Sequence, residues 1–357
     1  VATISVQAEK NKATSATLIL GKNSQINGSI SLGADTTTNL QLDGTQGNLT
    51  VAAHGITEMT LKNGANVTLA DGQASNYKNV NIESGTLTAS IFHTKDLGSV
   101  DNHFKAVTIG QDGTFNIKAL NSKDNTQFLL NDLQLTLDGG HLQVAEADYQ
   151  GDLKIGSSPV ASSLTINQGD YTFNKIAFGS SNKTDKKSSL TLNNGSLTVQ
   201  TLDFTTGDIA IEGGVLTTHE LIWHVPEGTV WKKEGQMTIA ENGTLTLNAR
   251  NDLLTDKGEK TEAAKHIKNN GTIVLTDQFE ASAADVKTFI EKLGLGDKIL
   301  FKNMTLSDRE VAWNPNLGTA TSNATVTAPE ADEEGHASVD LAGQTVGVAG
   351  LKVSDST

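Results

Sequence analysis

Two histidines and a glutamate stand close together between His219 and His224, in a segment that reads HELIWH. Zinc proteases place two histidines at i and i+4 on one face of a helix, with a glutamate beside the first. Here the histidines are at i and i+5. A helix does not bring that spacing to one face, and a strand points the two side chains to opposite faces. The segment therefore predicts solvated or capping histidines and no metal site.

Other signals of catalysis or metal binding are weak. The absence of cysteine excludes disulfides, thiol redox chemistry and cysteine-based zinc sites. Gly139-Gly140-His141 is typical of a turn within a repeat. The chain has no Asp-Asp pair, no calcium-binding nonapeptide and no EF-hand spacing. We therefore expect a protein that is not an enzyme and has no cofactor, with incidental calcium binding at turns as the only metal contact.

Aromatic and basic residues come together at Trp223 and Trp231, with Lys232 and Lys233 following the second tryptophan. If these side chains are exposed, they form a contact patch for a ligand. If the rings are buried, they close a wide coil instead. These four residues are the candidate ligand-binding site of the sequence, and a structural role is the alternative.

The elements that position these residues follow from a phrase that the chain repeats between Leu61 and Ile273. Each copy alternates apolar with polar residues, turns at a glycine and alternates again. Leu190 to Val199, which reads LTLNNGSLTV, is a clear copy. The glycines recur about every 26 residues. They are Gly64, Gly85, Gly113, Gly140, Gly169, Gly195, Gly214, Gly243 and Gly271.

This repeat predicts an all-β fold, a right-handed parallel β-helix. Strict alternation gives short strands with one apolar face, and a period of this length is typical of coils that stack and cover one another. Asn-Gly turns between alternating runs also occur in antiparallel hairpins, so β-sandwiches and propellers are alternatives. Immunoglobulin-sized sandwiches, however, repeat at about 100 residues. We assign each glycine to a corner that requires positive φ.

The chain divides into three predicted parts. Residues 1–278 form the β-helix solenoid. Residues 279–325 form a cap or insertion with short strands and one helix. Residues 326–357, which begin with an acidic run, form a linker and a strand-like tail.

The helix is predicted near 282–294. Ser282 is its N-cap with Asp285 three residues on, and Gly294 ends it. Its apolar stripe consists of Val286, Phe289, Ile290 and Leu293.

Composition limits the partners. The formal net charge of -14 argues against nucleic acids and anionic membranes. Aromatic residues make up 4% of the chain, which fits a thin core of Leu, Ile and Val. No apolar run approaches the length of a membrane span, so we expect no membrane insertion of this segment. Val1 does not begin a secretion signal, and we expect either a removed signal or an internal fragment.

Three segments carry a resemblance to a known family: LTLNNGSLTV, MTIAENGTLTL (Met237 to Leu247) and VTIGQDGTFNI (Val107 to Ile117). They resemble the passenger domains of bacterial autotransporter adhesins of the diffuse-adherence and self-associating types, and also exoproteins of two-partner secretion systems. The resemblance implies a β-helix outside the cell, attached to the Gram-negative outer membrane or released. It also implies cell adhesion, biofilm formation and virulence. The implied partners are the same protein on neighbouring cells, host glycans or extracellular matrix proteins.

We therefore expect a non-enzymatic adhesin that acts through a polar face of the β-helix. A polysaccharide lyase or depolymerase is the alternative from the enzyme class, and carboxylates clustered on one face would favour it. A structural surface-layer or fibre subunit is the third possibility. Regular end-to-end polymers would favour that function.

Overall fold

The chain folds into a parallel β-helix, an all-β solenoid in which strands of successive coils stack in register. The computed structural model describes residues 2–6, 15–22, 24–32, 37–51, 58–69, 79–91, 104–120, 127–156, 161–179, 187–225, 227, 234–306, 323–327 and 350–354. Its strands are β1 (Ala2–Val6), β2 (Ser15–Leu20), β3 (Gln25–Leu32), β4 (Thr37–Asp43), β5 (Gln46–Val51), β6 (Glu58–Lys62), β7 (Ala65–Leu69), β8 (Asn79–Ile91), β9 (Ala106–Leu120), β10 (Gln127–Leu130), β11 (Gln134–Asp138), β12 (His141–Val144), β13 (Ala147–Asp148), β14 (Asp152–Ile155), β15 (Ser163–Gln168), β16 (Asp170–Phe178), β17 (Ser189–Leu192), β18 (Ser196–Asp203), β19 (Asp208–Ile222), β20 (Met237–Leu247), β21 (Ile267–Asn269), β22 (Thr272–Ala281), β23 (Ile299–Leu306), β24 (Asn323–Thr327) and β25 (Gly350–Ser354). Among these strands every pairing is parallel except that of β12 with β13.

The strands form three faces. The first face contains β2, β4, β6, β11, β15, β17 and β21, with the first parts of β8, β9, β19 and β20. The second face contains β1, β3, β5, β7 and β12, the later parts of β8, β9 and β20, the middle of β19, and the first parts of β16, β18, β22 and β23. The third face contains β10, β14 and the ends of β16, β18 and β19. In later coils, the ends of β22 and β23 pair with each other and continue into β24 and β25.

Two columns of apolar side chains fill the core behind the first face. Parallel pairing stacks one inward residue of each coil on the next, and all of these side chains are buried. One column is Leu40, Met59, Val80, Val107, Leu135, Leu164, Leu190, Ile209, Met237 and Ile267; the other is Leu42, Leu61, Ile82, Ile109, Leu137, Ile166, Leu192, Ile211 and Ile239. Each coil is thus covered only when its neighbours are present.

Glycines mark the corner between the first and second faces, as the repeat predicts. Positive φ, the reason given for them, is confirmed at Gly64, Gly85, Gly169, Gly195 and Gly214. That reason is wrong for Gly113, Gly140, Gly243 and Gly271, whose φ is not positive. A Cβ atom on any of these four would lie 2.2 to 2.3 Å from a backbone carbonyl oxygen of the preceding coil. These corners need glycine because adjacent coils approach too closely for a side chain.

A hairpin interrupts the second face. After β12 the chain turns back through Ala145 and Glu146, with φ of +49° and +68°, and β13 pairs antiparallel with β12. Positive φ at both central residues is typical of a two-residue hairpin turn. Among the described strands, β12 therefore pairs with β9 and β13, and the first part of β16 pairs with β18 alone. The ladder of the second face is open between β12 and β16.

Between β20 and β21 the chain makes an ordered excursion from the stack. It contains a short 3-10 helix (Arg250–Asp252) and α1 (Glu262–Lys265). The Thr261 side chain caps α1 by accepting the N–H of Ala264 at 3.1 Å. Four side chains of the excursion are buried, namely Leu253, Leu254, Ala263 and Ala264. The excursion thus adds to the core although its sequence does not alternate.

The predicted helix is confirmed as α2 (Ala283–Leu293). The Ser282 Oγ accepts the N–H of Asp285 at 3.0 Å, and the Asp285 carboxylate accepts the N–H of Ser282 at 3.2 Å. Gly294 ends the helix at a φ of +56°. On the apolar stripe, the Phe289 ring lies 5.8 Å from that of Phe301 in β23. The helix therefore covers the core at the next coil.

Strand pairing continues past α2, because β22 and β23 pair in parallel on either side of it. The pairing crosses residue 278, and β24 and β25 extend the stack further. Residues 328–349, which are most of the predicted linker and tail, lie outside the described residues. The division into three domains stays a prediction. No helix in the described part of the chain is long and apolar enough to cross a bilayer.

Candidate functional site

A column of uncharged side chains runs along the outside of the first face. Strand register stacks each member on the next, and each is partly exposed. The members are Gln41, Thr60, Asn81, Thr108, Thr136, Thr165, Thr191, Ala210 and Thr238. We call this set the central column. None of these nine members is charged, on a chain with a net charge of -14. Lys268 is the next rung after Thr238, and the Lys62 ammonium lies 3.4 Å from the Gln41 side-chain oxygen.

Threonine occupies four consecutive rungs of the central column, Thr108, Thr136, Thr165 and Thr191. Their hydroxyl groups both donate and accept hydrogen bonds, at intervals of about 4.8 Å. The second face carries a shorter run of accessible threonines, Thr172, Thr198 and Thr217, and Thr246 on the next rung is buried. Its ladder, however, is open next to Thr172, whereas the first face is continuous from β2 to β21.

Trp223, a member of the predicted contact patch, is buried. Its ring stacks on that of His266, with 3.5 Å between centroids and 13° between planes. Its Nε1–H donates to the Gly235 carbonyl at 3.1 Å, and the Nε2 of His266 lies 3.1 Å from a carboxylate oxygen of Glu234. Trp223 therefore has the structural role and offers no exposed ring. The other patch residues lie outside the described residues and stay predictions: Trp231, Lys232 and Lys233.

The two histidines of the HELIWH segment are held separately. His219 lies in β19, where its ring contacts the side chain of Asn248. The backbone N–H of His224, beyond the end of β19, donates to the Thr205 Oγ1 at 3.0 Å. Among the described residues, no group of three or more His, Asp or Glu side chains is arranged to hold a metal ion.

The opening in the second face forms a cleft of about 280 Å³. Tyr149 and Tyr171, two of the three tyrosines of the chain, line it. The Tyr171 hydroxyl donates to the Gly140 carbonyl at 2.9 Å, and the Tyr149 hydroxyl donates to the Asp152 carbonyl at 2.7 Å. The buried Phe173 also lines the cleft, with its ring centroid 6.4 Å from that of Tyr149. Hydrogen bonds thus hold both tyrosines, and ring packing also holds Tyr149. We call this opening the tyrosine cleft.

Exposed polar side chains complete the lining of the tyrosine cleft. They are His141, Asp148, Gln150, Asp170 and Thr172. The Nδ1 of His141 lies 3.1 Å from a carboxylate oxygen of Asp148. Burial raises the pKa of Tyr171 to about 12, and the nearby carboxylates act in the same direction. The Tyr171 hydroxyl therefore stays protonated at neutral pH and keeps its hydrogen bond.

The tyrosine cleft was not predicted from the sequence. Gly139-Gly140-His141 is the turn that the sequence predicts, with φ of +87° at Gly139, and it also lines the cleft. Tyr149 and Tyr171 are far apart in sequence, and they line one cleft where the hairpin opens the ladder. The available signal was the stretch between Ala145 and Gly151, where alternation fails inside an otherwise regular repeat.

A carboxylate cluster lies on the third face, where the excursion begins. The Arg250 Nε–H donates to the Asp277 carboxylate at 2.8 Å, and the guanidinium carbon lies 3.6 Å from the ring centroid of Phe279. Asp252 and Asp277 each keep one carboxylate oxygen buried, without a partner among the described residues. Burial, reinforced by the negative charges of Glu220 and Asp277, raises the pKa of Asp252 to about 6. Both side chains are only partly buried as a whole.

Replacing Asp252 by asparagine should stabilise the protein near pH 8 and leave its stability near pH 4 almost unchanged. The folded chain holds the Asp252 proton up to about pH 6, whereas the unfolded chain releases it near the ordinary pKa of 3.8. The stability that this group contributes is therefore greatest at low pH, falls between about pH 4 and 6, and stays low above. We expect a gain of about 1 to 2 kcal/mol after allowance for solvent screening.

Urea unfolding of wild type and Asp252→Asn near pH 4, 6 and 8, followed by circular dichroism, measures this effect. Asp256→Asn is the matched control, because Asp256 is an exposed carboxyl group of the same excursion. An equal gain from Asp252→Asn at all three pH values would show that titration of Asp252 is not its cause.

Comparison of the chain with protein-family models, with curated proteins and with solved structures finds no match. The support for a function is therefore the fold, the central column, the tyrosine cleft and the resemblance of the repeat to adhesin passenger domains.

Proposed function

We propose that the chain is a non-enzymatic adhesin of the Gram-negative cell surface, attached or released, whose first face binds the same face of a second copy. The central column from Gln41 to Thr238 is the observation that carries the proposal. Copies that each carry a charge of -14 repel one another over most of their surface. An uncharged strip is where two such rods approach at the lowest electrostatic cost.

The length of the column supplies the binding strength. A hydrogen bond contributes about 0.5 to 1.5 kcal/mol net, so one contact is weak. Both copies present hydroxyl and amide groups at the same spacing of about 4.8 Å, so contacts repeat in register along the face. Many rods on each cell add avidity. This mechanism needs a continuous face, which the first face provides.

The double variant Thr136→Lys, Thr165→Lys should lose self-association. It places two ammonium groups on adjacent rungs of the central column, where they meet their counterparts on the second copy. The substitutions also lower the net negative charge, so general repulsion between copies decreases. A loss of association therefore reports a contact at this face. Sedimentation velocity over a concentration series measures the dimer fraction, which we expect to fall at least tenfold.

The matched control is Thr198→Lys, Thr217→Lys, which makes the same change on adjacent rungs of the second face. Its association should equal or exceed that of wild type, and circular dichroism should show strand content unchanged in both variants. Loss of association in both double variants, or in neither, would contradict binding through the first face. Stronger association of the first-face variant would point to an acidic partner surface instead.

Asp148 and Asp170 favour a second candidate function, cleavage of polysaccharides, because both carboxylates line one cleft. Glycoside hydrolysis uses two carboxyl groups, and the general acid is usually shielded from water. Both of these side chains are exposed, which supports binding over cleavage. Release of oligosaccharides from capsule preparations, lost in Asp148→Asn, would establish the enzyme and displace the adhesin proposal.

A further inference from the structure

We propose that the tyrosine cleft binds one unit of a neutral or amino sugar. This inference deepens the adhesin function by naming a ligand class, and it does not depend on self-association. The cleft lies on the second face, away from the central column. A rod that binds copies of itself through one face would thus hold a glycan at another.

The size and the aromatic lining of the cleft suit a single sugar ring. Its volume of about 280 Å³ is at the lower end of ligand pockets, which fits one unit of a longer glycan. The C–H groups of a pyranose carry partial positive charge and pack against the negative face of an aromatic ring. Tyr149 and Tyr171 are held in place by hydrogen bonds to backbone carbonyls, so binding does not have to order them.

Side chains in the cleft match the hydroxyl groups of a sugar. Each sugar hydroxyl donates one hydrogen bond and accepts others, so a site for it needs both kinds of partner. The carboxylates of Asp148 and Asp170 accept, and the Gln150 amide and Thr172 hydroxyl do both. Asp170 already accepts a hydrogen bond from the Ser196 Oγ at 2.6 Å, which orients its carboxylate.

The open ladder adds backbone groups to the site. In a parallel sheet, alternate residues of a strand bond to opposite neighbours, and unpaired backbone groups seek another partner. Among the described strands, the first part of β16, Asp170 to Phe173, pairs with β18 alone. Every second residue there consequently directs its N–H and C=O towards the cleft. At equivalent points of later coils these groups are bonded within the stack.

Charge selects the class of sugar. The residues that line the cleft in the described part of the chain include no lysine or arginine. The lining includes the carboxylates of Asp148 and Asp170, and after burial the negative charges of Asp138, Asp148 and Asp170 help to raise the pKa of Tyr171. Sialic acids and uronic acids are therefore repelled. Neutral hexoses, N-acetylhexosamines and protonated amino sugars are accepted.

Saturation-transfer NMR with the full chain tests this inference. The probes are methyl β-galactoside, N-acetylglucosamine, glucosamine, glucuronate and N-acetylneuraminate. At least one of the first three should bind with a Kd on the order of 1 mM, and the two acids should not. Thr172→Trp fills the cleft and should weaken binding at least tenfold. Thr198→Trp, one rung further along the same face, should leave it unchanged.

Three results would overturn the inference. They are no binding by any of the three non-acidic probes, equal binding of the acids, or binding that survives Thr172→Trp in a folded variant. Sedimentation velocity of the same variants separates this site from the central column. Thr172→Trp should keep self-association, and the first-face lysine variant should keep sugar binding, so either activity can fail while the other stands.

Discussion

Gly214→Ala is expected to lower the free energy of unfolding by about 2 to 5 kcal/mol. Gly214 has a φ of +75°, which costs an L-residue about 1 to 2 kcal/mol. The added Cβ would also lie 2.3 Å from the carbonyl oxygen of Gly195 in the preceding coil. That atom belongs to the backbone, so relieving the overlap shifts a whole coil, at about 1 to 3 kcal/mol more. The midpoint of urea unfolding, followed by far-UV circular dichroism, measures the loss.

Gly64→Ala separates the cost of positive φ from the cost of overlap with the preceding coil. Gly64 has nearly the same φ, +73°, but a Cβ there meets no atom within 4 Å. Its substitution should therefore cost only about 1 to 2 kcal/mol, the price of the backbone conformation. Equal losses of stability at Gly64 and Gly214 would show that close approach between coils is not the reason why Gly214 must be glycine.

Leu164→Ala should cost about 2 to 5 kcal/mol. Leu164 is fully buried and stacks between Leu135 and Leu190 in one of the apolar columns. Truncation leaves a cavity that touches both neighbouring coils, and each of these coils is covered only by the next. Strand packing on all sides limits collapse of the cavity. The same urea titration measures the change.

Thr165→Ala is the control for Leu164→Ala, since the adjacent residue points outward and is partly exposed. It should change stability by less than about 0.5 kcal/mol. If Leu164→Ala stayed within that range too, the apolar columns would not be the source of stability in the stack.

Local signals in the sequence were sufficient for much of the fold. Alternation identifies the inward Leu164 and the outward Thr165 without knowledge of the neighbouring coils. The N-cap Ser282 and the terminal Gly294 delimit α2, because caps act within one turn of a helix. The excursion that buries Leu253 has no such signal. Its apolar residues join the core of the stack, and spacing along the chain does not encode that packing.

The candidate site was likewise predictable only in part, where local alternation determines it. The outward threonines of the central column follow from alternation, but the continuity of the first face depends on the register of many coils. The tyrosine cleft depends on a hairpin that brings Tyr149 near Tyr171, and a two-residue turn at Ala145 and Glu146 lacks the usual Asn or Gly. For Trp223, burial was decided by its stacking on His266, which lies in a later coil.

Each coil pairs only with its immediate neighbours. The length of this β-helix can therefore change by whole coils. Leu164 pairs with Leu135 on one side and with Leu190 on the other, so residues 163–188 enter and leave the ladder at equivalent points. Duplicating or losing such a unit at the level of the gene would lengthen or shorten the molecule by about 4.8 Å and leave the remaining corners intact. Lineages can thus change the length of the β-helix without inventing a new surface.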